Sequence, residues 1–418
     1  LDDLLASSGS NSVGYLPAGT GAVATTVQTK LRESVSVKDF GATGNGSTDD
    51  TAAIQATMNY AAPLGYVIYF PPGTYRTTAT VGFTRSNPEQ FGVQIVGSGL
   101  QRTAIYADHL AGPVLSLNRS NGRVEDISLT ASATRTAGAA GSNYGLLMEA
   151  PDTAVAAVAS MAIVRVRVLG QPSHGIVHVG SMIASYYEQV LVQSNGGHGF
   201  VFDTGVITSR SNPFYPGLVT CVNCWAVSNT GHALKIGDPA DSAAISSPLR
   251  FAFTNFEASE NALTAGVRLS LDECWIRGQQ MTFDTCAMGT AGAAVIGNIR
   301  FAGEHLQIRN HRAVTATHTL RLEVDHVLTT TFGVVVDGLR VLNTAQNPVV
   351  IVSSLTAIRD IQIATHGDQS NMTTMFPAGA VRAFWNLTPP FSDAVKTTTQ
   401  TVNNTTTLVD VTQLAVYL

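Results

Sequence analysis

The chain has 418 residues, of which only 13% are charged and 38 are glycine, and its 24 Lys plus Arg against 29 Asp plus Glu give a formal net charge of −5. That balance argues against a nucleic-acid partner, because phosphate binding needs a basic surface, and it admits a neutral or weakly charged polysaccharide. No apolar run reaches the ~18 residues of a membrane-spanning helix, so no membrane partner is expected.

The opening segment, residues 1–34, is unlike the rest. Ser7 to Ser12 is a flexible Ser/Gly/Asn stretch, and Ala24 to Arg32 reads as a short helix. The segment holds too little apolar surface to fold alone. No signal-peptide pattern opens the chain, which starts at Leu1 rather than Met, so a longer protein is expected. From Val35 to Ala42 a strand enters a turn. Gly44 to Thr51 gives a second turn and a helix start, with Ser47 or Thr48 as cap and Asp49 and Asp50 at the positive end. Ala52 to Ala62 is predicted as a helix ended by Pro63 and Gly65. Tyr66 to Phe70 is then a strand and Pro71 to Tyr75 a turn.

Asp39-Phe-Gly-Ala42, Gly44-Asn-Gly46, Thr48-Asp-Asp-Thr-Ala-Ala-Ile-Gln55 and Phe70-Pro-Pro-Gly-Thr-Tyr75 together resemble the start of pectate-lyase-like right-handed β-helix domains. The preceding Val13 to Ala24 and Thr26 to Arg32 resemble the neck before this domain in bacteriophage tailspikes. The motifs cover Val13 to Tyr75, and the one departure is Asn45 where the family usually has Asp. The resemblance implies a homotrimeric virion protein, joined to phage tail or baseplate proteins through its upstream region. Such a protein binds and usually cleaves a capsular or exopolysaccharide of the bacterial surface, acting outside the host. The resemblance leaves the sugar and the catalytic residues open.

From about Ser160 to Ala364 the chain repeats a unit of strand, polar turn and strand. Val166 to Val179, Val190 to Phe202 and Cys224 to Ile236 are three copies. Such repeats at periods of a few tens of residues mark a solenoid. A strand unit that cannot bury its own apolar face must stack on a copy of itself. The predicted fold is all-β: a right-handed parallel β-helix over residues 35–385, its open end covered by the Ala52–Ala62 helix. Residues 386–418, rich in Thr and Asn, read as the start of a C-terminal β module or a linker.

Aligning the turns gives a register. Ile127, Val166, Val190, Cys224, Phe256, Phe283, Leu306, Leu339 and Ile361 fall at one inward position, and Leu129 through Ile363 two residues on, with Thr285 the polar exception. Between them lies an outward row of Ser128, Arg167, Leu191, Trp225, Glu257, Asp284, Gln307, Arg340 and Gln362. The outward row before it is Asp126, Arg165, Gln189, Asn223, Asn255, Thr282, His305, Gly338 and Asp360. Strand alternation sends Cys224 inward and Cys221 outward, and no second ligand pair follows, so neither a metal nor another cofactor is expected.

The candidate catalytic pair is Glu257 and Asp284, one coil apart, where carboxylates can approach to the ~5–6 Å of retaining glycoside cleavage. Glu260 is the alternate carboxylate, followed by Asp272 and Glu273. Trp225 would support a sugar ring. Asn223, Asn255, His305 and Arg167 would complete substrate binding. Gly197-His198-Gly199 matches a short polygalacturonase motif, but the Asp residues of that family do not precede it. With His174 and His232 at equivalent places, it reads as a stacked, solvent-edge ladder. Two other readings remain: β-elimination with Arg165, Arg167 or His305 as base, and a non-catalytic receptor-binding spike.

Overall fold

The computed structural model describes residues 2–83, 92–118, 121–136, 141–149, 161–180, 184–202, 217–237, 249–259, 263–264, 267–268, 274–289, 299–314, 320–323, 331–341, 349–351, 358–365, 383–387, 397–402 and 405–410. Apolar residues at every second position drive each strand to cover one face, and 29 strands join in one parallel ladder. The chain winds as a right-handed parallel β-helix with three sheets. Along the first sheet Val35, Ile68, Ile95, Val124, Ile163, Tyr187, Cys221, Phe253, Phe283, Ile308 and Val336 stack in register. Along the second run Tyr75, Ile105, Leu129, Val168, Val192, Ala226, Ala258 and Met288. Along the third run Val81, Leu115, Leu146, Ile176, Phe200, Leu234, Cys274, Ile299 and Leu320. All of these belong to one buried cluster, and like side chains stack on like, as in the parallel rings of Phe253 and Phe283, 4.8 Å apart.

The corner between the first and second sheets is one residue in left-handed conformation, repeated coil after coil. Asp126, Arg165, Gln189, Asn223, Asn255, Thr285, Asn310 and Gly338 have φ between 49° and 71°. That conformation costs an ordinary residue roughly 1–2 kcal/mol and is cheapest for Gly, Asn and Asp. It also interrupts strict alternation, so the residues two before and one after the corner both point inward. Cys221 and Cys224 flank Asn223 in this way. Both are fully buried, correcting the expectation that Cys221 faces outward.

The same corner corrects the register. The strand Cys274–Asp284 runs through the third and first sheets without a break. Its Phe283 therefore pairs with Phe253, not Phe256, and Cys286 takes the Phe256 position. Thr285 is the exposed corner residue, not an inward one. Leu306, Ile308, Ile361 and Ile363 likewise belong to the first sheet. A second left-handed column, Ala184, Leu218, Arg250, Gln280, His305 and Gly333, marks the other edge of that sheet.

The helix spans Thr51–Ala61 and buries Ile54, Thr57, Met58 and Ala61. Asp49 Oδ1 accepts from the Thr51 amide (3.1 Å) and hydroxyl (2.5 Å). Asp50 accepts from the amides of Thr43 (2.7 Å) and Gly44 (3.0 Å). Ser47 and Thr48 do not cap: Asn45 Oδ1 accepts both their amides, 2.9 Å each, filling the place of the family's Asp. Gln55 closes the helix onto the first coil by exchanging two hydrogen bonds with the Gly82 backbone, at 2.9 and 3.0 Å.

Where the second sheet turns into the third, Asn195 Nδ2 donates to Asn229 Oδ1 (2.8 Å) inside the protein. Beside this pair the imidazoles of His174, His198 and His232 stack at 4.8 and 4.9 Å. Nδ1 of His174 and of His198 each accepts the backbone N–H of the next histidine at 2.9 Å. The ladder is thus real, but not at a solvent edge: His232 is buried and the other two are half-buried. The short side of the turn is kept open by glycine, since a Cβ at Gly197 or Gly231 would fall inside the ring below.

Two outcomes test this architecture. Ile54→Asp puts a carboxylate on the buried face of the closing helix, and soluble yield and Tm should both fall; an unchanged Tm would mean that the helix does not close the core. The second concerns acid. Burial lowers the pKa of His174 to about 4, of His178 to about 3 and of His311 to about 4. The folded state holds these rings neutral while the unfolded chain protonates them near 6.5, so stability is complete above that pH and is lost as pH falls toward 4. Tm should be flat above pH 7 and drop steadily from 6.5 to 4, with His311→Leu shallowing the drop.

Candidate active site on the second sheet

The outward row of the second sheet lies two residues past each left-handed corner. In register it reads Ser128, Arg167, Leu191, Trp225, Glu257, Ala287 and Arg312. The half-buried indole of Trp225 and the exposed carboxylate of Glu257 occupy adjacent coils. Above Glu257 the small side chain of Ala287 leaves a notch of about 40 Å³, lined by Glu257, Ala258, Ala287, Met288, Gly289 and Arg312. Glu257 and Arg312 stand two coils apart on either side of it, roughly 10 Å along the axis.

Asp284 is not on this row. It pairs with Thr254 and Arg309 on the first sheet, three residues before Ala287 and across the corner. There it accepts from Thr285 Oγ1 (2.9 Å) and Asn310 Nδ2 (3.4 Å). The row-neighbour spacing argued for retention therefore does not hold. Asn223 and Asn255 are corner residues, and Asn255 Nδ2 donates to Asn223 Oδ1 at 2.7 Å, so part of their amide capacity holds the corner. His305 is exposed at the far edge of the first sheet, in the left-handed column with Gln280 and Gly333 rather than beside Glu257. Arg167 is on the row but three coils below Glu257, and its Nη2 donates to Gln193 Oε1 (3.2 Å). Glu260, Asp272 and Glu273 lie outside the described residues.

Lower on the same corner, Arg165 holds Asp126 with two hydrogen bonds, from Nε at 2.6 Å and Nη2 at 2.7 Å. That contact lowers the Asp126 pKa and raises that of Arg165. A guanidinium held protonated in this way is a poor base for elimination. The residues that sequence reading missed are Ala287 and Arg312. The signal for Arg312 was the corner asparagine Asn310, which like Asn223 and Asn255 stands two before the row, whereas Ala287 follows Thr285, a corner without asparagine, and the apolar Phe283 misled.

The coils, corner column and closing helix define a right-handed parallel β-helix. Residues 34–229 match the family described as rhamnogalacturonase A/epimerase, pectate lyase-like. Among curated relatives, mannuronan C5-epimerase AlgE2 of Azotobacter vinelandii is 30% identical over 212 residues, which is 46% of this chain and 21% of that protein. Among solved structures, ORF18 of Geobacillus virus E2 has a TM-score of 0.57 at 18% identity, covering 82% of this chain and 67% of that one. Full-length tailspike protein 2 from Escherichia coli O157:H7 bacteriophage CAB120 has a TM-score of 0.59 at 13% identity, covering 84% of this chain and 45% of that one. The tailspike-like fold expected from the opening motifs is the fold of this chain.

If the Ala287 notch receives ligand, Ala287→Leu should fill it and weaken polysaccharide binding at least ~10-fold, a loss of about 1.4 kcal/mol. Tm should stay within a few degrees, because the residue faces outward. Unchanged binding by affinity electrophoresis would remove the notch from the site.

Proposed function

We propose that this chain is a phage tailspike depolymerase that binds a bacterial surface polysaccharide and cleaves its glycosidic bonds on the second sheet. One observation carries the reading: an indole, a carboxylate, a gap and a guanidinium succeed one another on a single outward row. In this reading Trp225 packs against the apolar C–H face of a sugar ring. Glu257 transfers the proton at the scissile bond. The next ring enters the gap over Ala287, and Arg312 binds its oxygens. Asp284, across the corner, is the second carboxylate. A pair not on neighbouring row positions suits an intervening water and inversion better than direct attack.

Loss of a proton-transferring carboxylate costs at least ~10²-fold in rate, whereas a solvated one costs almost nothing. Glu257→Gln should therefore keep its fold and its binding but release few reducing ends from capsules of a panel of hosts, and Asp284→Asn should do the same. Wild-type rates in both variants would reject the pair.

A second reading is β-elimination, favoured by the guanidinium of Arg312 on the same row two coils from Glu257, which could neutralise a uronate carboxylate. An unsaturated, ultraviolet-absorbing product would decide for it. The homotrimer belongs to the same proposal. Leu5 (78% exposed), Leu16 (67%), Val23 (77%) and Leu31 (67%) crowd the opening segment, where two further copies would cover them. Light scattering should give three times the chain mass.

A further inference from the structure

We propose that the third sheet carries a separate binding site for an acidic glycan, formed by Lys235, Trp275 and Arg300. The three residues occupy consecutive outward positions of one register row: Lys235 pairs with Trp275, and Trp275 with Arg300. Two of these three successive positions are thus basic in a chain with only 24 Lys plus Arg among 418 residues. The row changes character abruptly there. Its preceding positions, Leu147, Val177 and Val201, are apolar and buried in a cluster of their own.

The two cations share the indole. Lys235 Nζ lies 5.9 Å from the Trp275 ring centroid and the Arg300 guanidinium carbon 4.7 Å from it. The ring thus holds two flexible cations in place. The indole is held there at a cost, because its buried Nε1–H has no acceptor among the described residues. The ring also meets His232, the end of the imidazole ladder, edge-on at 5.3 Å. Trp275 is thus braced by the fold rather than free to turn. Lys235 and Arg300 are two coils apart, roughly 10 Å. That spacing suits acidic groups on alternate rings of a glycan chain lying along the solenoid axis. The net charge of −5 disfavours a nucleic acid strand in the same place.

The site is on a different sheet from Glu257, so its test is a binding measurement that does not depend on cleavage. Polygalacturonate serves as the acidic probe and dextran as the neutral one, titrated calorimetrically at low and high salt. The proposal expects polygalacturonate to bind, dextran not to bind, and the affinity to fall steeply with salt. Lys235→Gln/Arg300→Gln should lose at least ~10-fold in affinity and Lys235→Arg should retain it, both at unchanged Tm. Trp225→Ala, which alters the second sheet, should leave polygalacturonate binding as it is. Equal binding of dextran, no polygalacturonate binding, or full affinity in the double variant would each overturn the proposal. If the double variant loses Tm, retention of affinity by Lys235→Arg and its loss in Lys235→Met decide instead.

Discussion

The structure depends on one repeated constraint: a single left-handed residue at the corner of every coil from Asp126 to Gly338. That residue turns the chain between two sheets without a loop, so successive coils superimpose and the apolar columns stay in register. Because the conformation is unfavourable for most side chains, each coil carries a local cost of about 1 kcal/mol. Stacking against coils above and below offsets it, as does the amide bond between Asn223 and Asn255. The corner also sets which side chains face outward. Two residues past it, one row is delivered to solvent at a fixed spacing, and the candidate chemistry stands on that row.

The three sheets divide the work. The first and second meet at the sharp corner and expose polar residues on both sides of it. The third begins in an Asn and His ladder whose hydrogen bonds run along the axis, from each histidine amide to the ring below. Such a ladder needs neutral imidazoles, and burial keeps them neutral, with His198 lowered to about 2. The polygalacturonase-like Gly197-His198-Gly199 is accounted for by this stacking: the glycines make room for the rings, and the ring accepts a backbone amide.

A β-helix presents long straight rows, and a linear polymer is the ligand whose repeat such rows can follow. The fold itself hosts several chemistries, so the argument for cleavage rests on particular side chains. The curated relative AlgE2 shares 212 aligned residues with this chain, and the matched tailspikes share its winding at low identity. In the proposed reading the acid, the ring-binding platform and the room beside them come from Glu257, Trp225 and the small side chain at Ala287.

The sequence by itself determined the solenoid, the closing helix and its acidic start, and the opening motif. These are local: alternation, glycine turns and helix punctuation act over a few residues. It also placed Arg167, Trp225 and Glu257 on one outward row, with Asn223 and Asn255 marking the corners before Trp225 and Glu257. Only the tertiary structure decided the row beyond Glu257. The strand Cys274–Asp284 crosses two sheets in one run, so its apolar triplets fit two columns equally well, and only pairing with Phe251 and Phe253 selects one. That selection moves Asp284 off the row, sends His305 to the far edge and brings in Ala287 and Arg312. Period-two alternation cannot reveal it, because a left-handed residue resets the period and leaves no mark in hydrophobicity. The same reset buries Cys221 and Cys224 together, against the alternation that would have parted them.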